Sequence, residues 1–495
     1  MVAPTKSCDR GPVRKGRTVS SNFSVHPTEI PGLLLIDIPV YGDNRGWFKE
    51  NWQNEKLTAA GLAALGPVQN NISFNAAVGV TRGIHAEPWD KYISVANGKV
   101  FGAWVDLRAG SGFGRVVTAE IGPDRAVFVP RGVGNAFQTL QPGTSYTYLV
   151  NAHWSADAQD DYTFVNLADP DLAVPWPIPL AEAEVSDKDR HHPLLTDVES
   201  VSEPPVLILG SSGQLGRALV KKCEEQGQAF TTLDRPGFDL SNIDADHLGS
   251  LRRFKAVINA AAFTDVDGAE SPEGSQQAWA INATGVTDLA RHCEAAGVPL
   301  LHVSTDYVFD GSRTLGQSYS TQDPIAPLNV YGASKAAGEL AVTTTARHWV
   351  VRTSWLIGDG PNFVRTMLGL ADRGIDPKVV DDQWGRLTFT TDLANAILHL
   401  IRSSAPYGTY HVTGSGEAAS WFAIARHVFE LAGANPHRVS PVSAEEYYRD
   451  KPLAARRPTN SVMDLTPLRD AGFDPPDHFE SLKKYIRDEK ERAES

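Results

Sequence analysis

The chain has 495 residues, of which 42% are hydrophobic and 21% charged, and its formal net charge at pH 7 is −13. This length predicts two or three globular domains, because one domain usually takes about 100–200 residues. The acidic balance argues against a general nucleic-acid binder, which needs clustered basic charge. The cysteines, Cys8, Cys223 and Cys293, lie far apart without a disulfide or zinc spacing, which favours a reducing, cytoplasmic location.

Segment 1–22 carries basic residues among Gly, Pro and Ser, with no apolar stretch after them. A secretion signal needs that stretch, so we predict a disordered tail over 1–22. No apolar run reaches the roughly 20 residues that span a bilayer, so we expect no membrane association.

The next part of the chain, to about residue 176, consists of short β-rich runs separated by turn signals at 42–46, 97–98 and 142–143. Helical periodicity is confined to about 53–65. This pattern predicts an all-β, antiparallel jelly roll, with the domain spanning 23–190. The polar, Pro-containing segment 191–204 is predicted to be a linker.

A different pattern follows over 205–495. Apolar strands alternate with helical periodicity, and we predict these strands at 205–210, 229–233, 255–260, 298–303 and 348–352. Such alternation predicts a doubly wound parallel sheet, a Rossmann-type α/β domain. Ligands of these sheets bind outside the carboxyl ends of the strands, so residues that follow each strand are the first candidates for a site.

The first of these strands runs into the turn Gly210-Ser211-Ser212-Gly213-Gln214-Leu215-Gly216 and then a helix. Glycines allow a pyrophosphate to approach the backbone at a helix N-terminus, so the turn predicts a dinucleotide cofactor. Asp234 ends the next strand and could hold ribose hydroxyls, whereas Arg235 could receive a 2′-phosphate, so NADH and NADPH both remain open. The predicted cofactor residues are Gly210, Gly213, Gln214, Leu215, Asp234, Arg235, Asp239, Leu240, Ala260, Ala261, Tyr331 and Lys335.

Tyr331 and Lys335 lie one helical turn apart, so a helix would present them on the same face. A nearby ammonium is expected to lower the pKa of the tyrosine, which could then pass a proton to a carbonyl oxygen as hydride reaches the carbon. Thr305, at the end of a predicted strand, could hydrogen-bond the same oxygen. These three residues resemble the catalytic set of the extended short-chain dehydrogenase/reductase family.

Longer motifs narrow this resemblance to the dTDP-4-dehydrorhamnose reductase family: 257–267 (VINAAAFTDVD), 304–311 (STDYVFDG), 329–335 (NVYGASK), 352–355 (RTSW), 361–363 (PNF) and 382–385 (DQWG). The resemblance implies NAD(P)H-dependent reduction of a 4-keto sugar nucleotide. It suggests Tyr307, Trp355 and Asn362 as substrate-side residues. Members of this family can use Mg²⁺, although the sequence reveals no ligand set for it.

The first half contains four ordered motifs, at 43–50 (DNRGWFKE), 68–73 (VQNNIS), 79–85 (GVTRGIH) and 105–108 with 128–134 (VDLR, FVPRGVG). They resemble the dTDP-4-dehydrorhamnose 3,5-epimerase family, a metal-free cupin-like jelly roll. By this resemblance His85 is the base, Asp169 orients it, Tyr148 is the acid and Lys91 stabilises the enolate. Substrate would be bound by Arg45, Phe48, Glu50, Gln69, Asn71 and Arg82.

Two positions depart from the epimerase pattern, because Asn135 stands at a histidine position and Trp154 at a tyrosine position. The sequence therefore predicts either a bifunctional enzyme, epimerase followed by reductase, or a reductase whose jelly roll only binds sugar nucleotide or assembles the protein. A non-catalytic regulatory subunit is a third hypothesis, disfavoured by the presence of both Tyr331 and Lys335. We expect a dTDP-linked 4-keto-6-deoxy sugar as ligand, and a homo-oligomer.

Overall fold

The computed structural model describes residues 23–62, 65–153, 162–243, 248, 251–403, 405–451 and 453–494. The predicted tail at 1–22 and Trp154 lie outside this part of the chain. The chain divides into two compact units, Met1–Glu203 and Pro204–Ser495. No helix in the described ranges combines the length and the apolar character needed to cross a bilayer.

The first unit consists mainly of short strands. These are β1 Ser24–Pro27, β2 Leu34–Asp37, β3 Val40–Asp43, β4 Gly46–Lys49, β5 Gln69–Asn75, β6 Val80–Ala86, β7 Lys91–Asn97, β8 Val100–Asp106, β9 Val116–Ile121, β10 Arg125–Val129, β11 Val133–Thr139, β12 Thr144–Val150, β13 Thr163–Phe164 and β14 Glu184–Val185, with helices α1 Asn54–Ala59 and α2 Asp187–Arg190. The predicted helix at 53–65 is thus shorter than expected.

Two sheets face each other in this unit. One has the order β1-β2-β10-β7-β12-β5 and the other the order β13-β6-β11-β8-β9, with β14 added in parallel beside β6. Ile93 and Val127 from the first sheet share a buried cluster with Trp104 and Phe137 from the second. Because alternate residues of a strand point to opposite faces, each sheet contributes one apolar face to this core. The predicted all-β jelly roll is confirmed.

Most of the predicted linker belongs to the first unit. The backbone of Val201 donates to the Leu107 carbonyl at 2.7 Å and accepts from the Ala109 N–H at 3.1 Å. His192 is only 8% exposed. The polar composition of 191–204 suggested a solvated connection, but backbone pairing and a buried partner for His192 attach the segment to the β sheets as far as Val201.

The second unit alternates strands with helices. Its strands are β15 Val206–Leu209, β16 Phe230–Leu233, β17 Ala256–Asn259, β18 Leu300–Thr305, β19 His348–Thr353, β20 Leu356–Ile357, β21 Lys378–Val380, β22 Trp384–Gly385, β23 Thr388–Phe389, β24 Gly408–His411, β25 Ala419–Ser420 and β26 Ser440–Val442. Its helices are α3 Gln214–Gln226, α4 Pro272–Trp279, α5 Val286–Ala296, α6 Val330–Val342, α7 Phe363–Asp372, α8 Thr390–Arg402, α9 Trp421–Ala432, α10 Ala444–Tyr448, α11 Thr466–Asp470 and α12 His478–Glu494.

The main sheet of this unit is parallel and has the order β16-β15-β17-β18-β19-β24. Leu219 of α3 and Ile397 of α8 pack with Ile208 in one buried cluster. Leu289 of α5 packs with Leu207 in another. Since Leu207 and Ile208 are consecutive and point to opposite faces, the helices cover both sides of the sheet. The predicted doubly wound sheet is confirmed, and its order reverses between β15 and β17, where a ligand crevice is expected.

Helix α3 packs closely against the turn that precedes it. A Cβ at Gly216 would meet the Gly210 carbonyl oxygen and would lie 2.5 Å from the Ser211 Cα. Both obstacles are backbone atoms and cannot rotate away. Gly216 therefore fixes the distance between the turn and the helix.

We expect Gly216→Ala to destabilise the second unit by about 1–3 kcal/mol, the usual cost of overpacking. Gly369→Ala is a matched control, because Gly369 lies within α7 and a Cβ there would meet no atom within 4 Å. This control should be neutral or stabilising by about 0.5–1 kcal/mol. Thermal unfolding of both variants measures the difference, and equal melting temperatures would contradict the packing argument.

Candidate active sites

A cavity of ≈ 590 Å³ opens at the carboxyl ends of the parallel strands. Every predicted cofactor residue lines it: Gly210, Gly213, Gln214, Leu215, Asp234, Arg235, Asp239, Leu240, Ala260, Ala261, Tyr331 and Lys335. Ser304 and Thr353 also line it, and their buried hydroxyl oxygens have no hydrogen-bond partner among the described residues. Buried polar atoms are normally satisfied, so these two hydroxyls fit a polar ligand that is bound in the cavity.

The carboxylate of Asp234 faces the glycine turn. Its Oδ2 accepts from the Ser211 hydroxyl at 2.8 Å and from the Ser212 N–H at 2.5 Å. The charge of Arg235 affects a different carboxylate, that of Asp239. Hydrogen bonds from Ser241 lower the pKa of Asp239, and the charge of Arg235 lowers it further. The glycine turn after β15 is therefore hydrogen-bonded to the carboxylate that follows β16.

Thr305, Tyr331 and Lys335 come together because α6 begins directly above the end of β18. Asn329 caps this helix by accepting from the Gly332 N–H at 2.7 Å. The Thr305 hydroxyl donates to Asp306 at 3.0 Å and accepts from the Tyr307 N–H at 3.2 Å. All three predicted catalytic residues are buried or half-buried and line the cavity.

The predicted lowering of the tyrosine pKa is not found. Burial raises the pKa of Tyr331 well above its usual value, the carboxylate of Asp306 raises it further, and a hydrogen bond with Thr305 acts in the opposite direction. Removal of the phenol from water disfavours the phenolate, and this effect outweighs the spacing of Tyr331 and Lys335. A protonated phenol suits a group that must donate a proton. Burial also lowers the pKa of Lys335 to about 8, against the opposing charge of Glu339.

On the substrate side, Tyr307 and Trp355 line the cavity, and Trp355 stacks on Trp421 with ring centroids 3.8 Å apart. Asn362 does not line it. Its Oδ1 accepts from the Arg365 N–H at 3.0 Å, and its Nδ2 donates to the Gly358 carbonyl at 2.8 Å. Asn362 is therefore the N-cap of α7 rather than a substrate ligand, and Trp421 is a lining residue that the motifs did not reveal.

In the first unit, His85 lies on β6 with Asn135 directly opposite on β11. The partner of its imidazole is Asp189, whose Oδ1 lies 2.9 Å from His85 Nε2. The prediction that Asp169 orients His85 is wrong. Asp169 accepts from the N–H groups of residues 171 and 172 at 2.8 and 3.2 Å and from residue 195 at 2.6 Å, so it organises a turn.

A second imidazole shares the same carboxylate oxygen. His192 Nε2 lies 3.1 Å from Asp189 Oδ1, and the His85 and His192 rings meet edge to face at 5.4 Å. Burial lowers the pKa of His192, while Asp189 opposes that effect. This group could not be predicted from the motifs, because Asp189 lies on the short helix α2 and His192 just after it, both beyond the β strands, although their i, i+3 spacing is visible in 186–193.

The predicted acid comes from the opposite sheet. The Tyr146 hydroxyl donates to Asn135 Oδ1 at 3.1 Å, so this face of β12 points at the strand beside His85. Tyr148 lies two residues further and points to the same face. Burial raises the pKa of Tyr148, and the charge of Arg82 opposes that effect. Burial raises the pKa of Tyr162 and the nearby Tyr148 raises it further, so Tyr162 is an aromatic neighbour of Tyr148 that the sequence did not suggest.

Lys91 begins β7, and its ammonium lies 5.7 Å from the centre of the Tyr148 ring. Burial lowers the pKa of Lys91 to about 7. An ion pair with Glu87 favours its charged form. Lys91 therefore lies beside the predicted acid and has a pKa close to neutrality.

The other predicted substrate residues fall into two groups. Asn71 pairs with Tyr148 across β5 and β12, so both side chains point to one face, and Gln69 donates to Asn71 at 2.9 Å. Arg45, Phe48 and Glu50 instead belong to the β3–β4 hairpin and its C-terminal end, where their side chains are exposed or half-exposed and the charged ones form local ion pairs with Asp43 and Lys56.

In the described ranges, His85, Asp189 and His192 form the single group of three or more His, Cys, Asp or Glu side chains close enough to share one ion. Both imidazoles are hydrogen-bonded to the Asp189 carboxylate, an arrangement that suits proton transfer. The second unit contributes no such group within the described residues, and magnesium there has no structural support.

Comparison with known proteins assigns each unit to a family. The family model described as dTDP-4-dehydrorhamnose 3,5-epimerase matches residues 27–197, and the model described as RmlD substrate binding domain matches residues 205–491. A Streptococcus pyogenes protein named RmlC homolog is 57% identical over 176 residues, which cover 34% of this chain and 88% of that protein.

Relatives of the second unit are reductases by name. A dTDP-4-dehydrorhamnose reductase of Streptomyces griseus is 40% identical over 284 residues, covering 56% of this chain and 90% of that protein. The crystal structure of a Bacillus anthracis dTDP-4-dehydrorhamnose reductase in complex with NADP is 36% identical, with a TM-score of 0.52, and covers 58% of this chain and 99% of that one. The chain therefore belongs to the dTDP-4-dehydrorhamnose 3,5-epimerase family in its first unit and to the RmlD reductase family in its second.

Proposed function

We propose that this chain is a bifunctional enzyme of dTDP-L-rhamnose synthesis. The first unit inverts carbons 3 and 5 of dTDP-4-dehydro-6-deoxyglucose, and the second reduces the 4-keto group of the product with NAD(P)H. The observation that carries this proposal is that one chain matches both families nearly end to end. The two reactions are consecutive, because the ketone that acidifies the C–H bonds in the first is the group that is reduced in the second.

For the epimerase step, His85 removes a proton next to the ketone and Tyr148 returns one from the opposite face. Support comes from their positions on facing sheets and from the contact between His85 and Asp189. Asp189 stabilises the protonated imidazole and fixes which nitrogen faces the substrate. Lys91, beside Tyr148, stabilises the negative charge that develops on the ketone oxygen.

For the reductase step, NAD(P)H supplies hydride to carbon 4 when bound. Tyr331 donates the proton that the ketone oxygen requires, Thr305 hydrogen-bonds that oxygen, and Lys335 carries positive charge beside them. The protonated state of Tyr331 and the burial of all three side chains support these roles. Tyr307 and Trp355, which line the cavity, contact the sugar.

The residues at the cofactor end of the cavity favour an adenine ribose with a free 2′-hydroxyl, as in NADH, over one with a 2′-phosphate, as in NADPH. Asp234 brings a carboxylate to the end of β16, where it can accept from ribose hydroxyls, and a 2′-phosphate there would meet a like charge. Arg235 beside it is the residue that would offset this repulsion. We therefore propose that the chain uses both cofactors but binds NADH more tightly.

We also propose a cytoplasmic homo-oligomer. Cys223 and Cys293 are buried free thiols, as a reducing compartment allows. Strand β5 ends its sheet with Ile72 and Phe74 exposed by 69% and 65%, and the β3–β4 hairpin exposes Phe48 by 65%. Apolar side chains gathered at a sheet edge fit a protein partner, and a second copy would bring Arg45, Phe48 and Glu50 to a neighbouring site.

The rival function, a reductase whose jelly roll does not catalyse, is motivated by Asn135 and Trp154. The structure adds that Asn135 accepts a hydrogen bond from Tyr146, so the residue at the family's histidine position has a packing role here. Deuterium exchange into the keto sugar distinguishes a non-catalytic jelly roll from an active epimerase.

In heavy water the wild-type chain without nicotinamide cofactor should incorporate deuterium at carbons 3 and 5. Asp189→Asn should slow this exchange by roughly 10²–10⁴-fold, as expected when a proton-transfer group loses its orientation. Asp169→Asn is the control: it should lower the free energy of unfolding by about 1–3 kcal/mol and leave exchange in the folded protein intact. No exchange by the wild-type chain would favour the non-catalytic jelly roll. Exchange lost in Asp169→Asn but not in Asp189→Asn would show that Asp169, and not Asp189, supports His85.

Tyr331→Phe should reduce NADH oxidation by roughly 10²–10⁴-fold, because it removes the hydroxyl that donates the proton. The rate is followed by absorbance with the 4-keto sugar nucleotide as substrate. Tyr319→Phe removes another buried phenol of the same unit, which donates to Asp310 at 2.7 Å, and serves as the matched control. Wild-type turnover by Tyr331→Phe would refute its role.

Asp234→Ala should raise the ratio of kcat/KM for NADPH to that for NADH by at least about tenfold, or about 1.4 kcal/mol, because the like charge is removed. Arg235→Ala should move the ratio in the opposite direction. Steady-state kinetics with both cofactors measure this, and an unchanged ratio in both variants would place cofactor selection elsewhere.

A further inference from the structure

Lys335 has a buried partner that the reaction described above does not use. His302 lies on β18 and is fully buried, and its Nε2 lies 3.3 Å from the Lys335 Nζ. On the other side of the ring, His302 Nδ1 lies 3.1 Å from the Nδ2 of Asn259 on β17. Neither His302 nor Asn259 is among the residues that line the cavity. The contact of His302 with Lys335 links this pair to the proposed catalytic residues.

The hydrogen bonds of Asn259 determine the tautomer of His302. Asn259 Oδ1 accepts from the Ala261 N–H at 3.1 Å, so the amide turns its NH₂ group toward the imidazole. An NH₂ group only donates, so His302 Nδ1 must accept. A neutral imidazole that accepts at Nδ1 carries its hydrogen on Nε2, the nitrogen that faces Lys335.

This tautomer matches only one protonation state of the lysine. An ammonium has three donors and no acceptor, whereas a neutral amine can accept the Nε2–H. Lys335 Nζ also donates to the Val303 carbonyl at 2.6 Å, which both protonation states can do. The ammonium therefore leaves two donors facing each other inside the protein, and the amine does not.

We propose that Asn259 and His302 are positioning residues that hold Lys335 ready to lose its proton during each reduction. When Tyr331 gives its proton to the ketone oxygen, the Lys335 ammonium returns one to the phenolate and becomes an amine. The lone pair of that amine then accepts the Nε2–H of His302, and a proton from solvent later restores the ammonium. The inference rests on the proposed reductase function and gives Lys335 a changing charge rather than a fixed one.

Other groups around Lys335 do not replace this pair. Besides Lys335 and His302, the titratable and charged side chains on α6 and on the elements packed against it are Tyr331 and Glu339 on α6, Asp306 and Tyr307 after β18, His348 and Arg352 on β19, Glu270 before α4, Glu273 on α4, and Asp288, Arg291, His292, Cys293 and Glu294 on α5. Glu339 favours the ammonium, but it is held by Arg352 through paired hydrogen bonds of 2.7 and 3.0 Å. Glu270 accepts from the Val330 N–H at 2.9 Å.

Two variants should stabilise the protonated form of Lys335. Asn259→Asp offers a carboxylate that accepts from Nδ1–H, which moves the imidazole hydrogen away from Lys335 and makes Nε2 an acceptor. His302→Gln offers an amide oxygen to the ammonium without adding charge. In both, the alkaline fall of kcat/KM for ketone reduction should move to higher pH, by about one pH unit or tenfold in the protonation constant.

Ser334→Ala is the matched control, because Ser334 is a fully buried hydroxyl on the same helix that bonds Asn282 and the Tyr331 carbonyl rather than Lys335. It should lower the melting temperature and leave the pH profile unchanged. Rates are measured with the whole chain, the 4-keto sugar nucleotide and NADH, and thermal unfolding identifies which variants fold.

An alkaline limb that stays at its wild-type position in a folded Asn259→Asp or His302→Gln chain overturns the inference, even if the rate falls uniformly. His302→Gln remains a test if Asn259→Asp does not fold, because it introduces no buried charge. A wild-type chain without reductase turnover would contradict the proposed function instead. Wild-type turnover with unshifted variants would contradict only the role of His302 and Asn259.

Discussion

The buried ion pair between Glu339 and Arg352 ties helix α6 to strand β19. Both side chains are at most 5% exposed, and three hydrogen bonds of 2.7–3.1 Å join them. Loss of one partner would leave a buried charge unpaired, which typically costs about 3–5 kcal/mol. Because Tyr331 and Lys335 occupy the start of α6 and Thr353 ends β19, this pair fixes two sides of the reductase cavity to each other.

Proton-carrying groups of both units share this dependence on buried partners. Asp189 lies between two imidazoles, Lys91 is joined to Glu87, and Lys335 contacts His302. Burial lowers the pKa of both lysines, whereas for Asp189 burial acts to raise the pKa and the two histidines hold it below its usual value. The two units have unrelated folds, yet both candidate sites hold titratable side chains whose pKa values are shifted by burial.

The cofactor side of the reductase cavity could be predicted from sequence because its residues follow strand ends. Gly210, Asp234 and Ala260 each come directly after a strand of the parallel sheet, and the carboxyl ends of such strands meet at one edge. The proximity of Tyr331 and Lys335 could be predicted from their spacing alone, because residues one helical turn apart lie on the same face of a helix. In the first unit, short β-rich runs and turn signals were sufficient to predict the jelly roll. The order of its motifs was sufficient to predict the family.

Contacts between distant segments were decided only by the tertiary structure. Asp169 and Asp189 both follow the strands, but three backbone N–H groups occupy Asp169, whereas the short helix α2 turns Asp189 toward His85. Local spacing likewise predicted a lowered pKa for Tyr331, and burial reverses it. Sequence determines which groups are available and which strand or helix presents them. Their partners and protonation depend on desolvation and on chain segments far away in sequence, which only folding brings together.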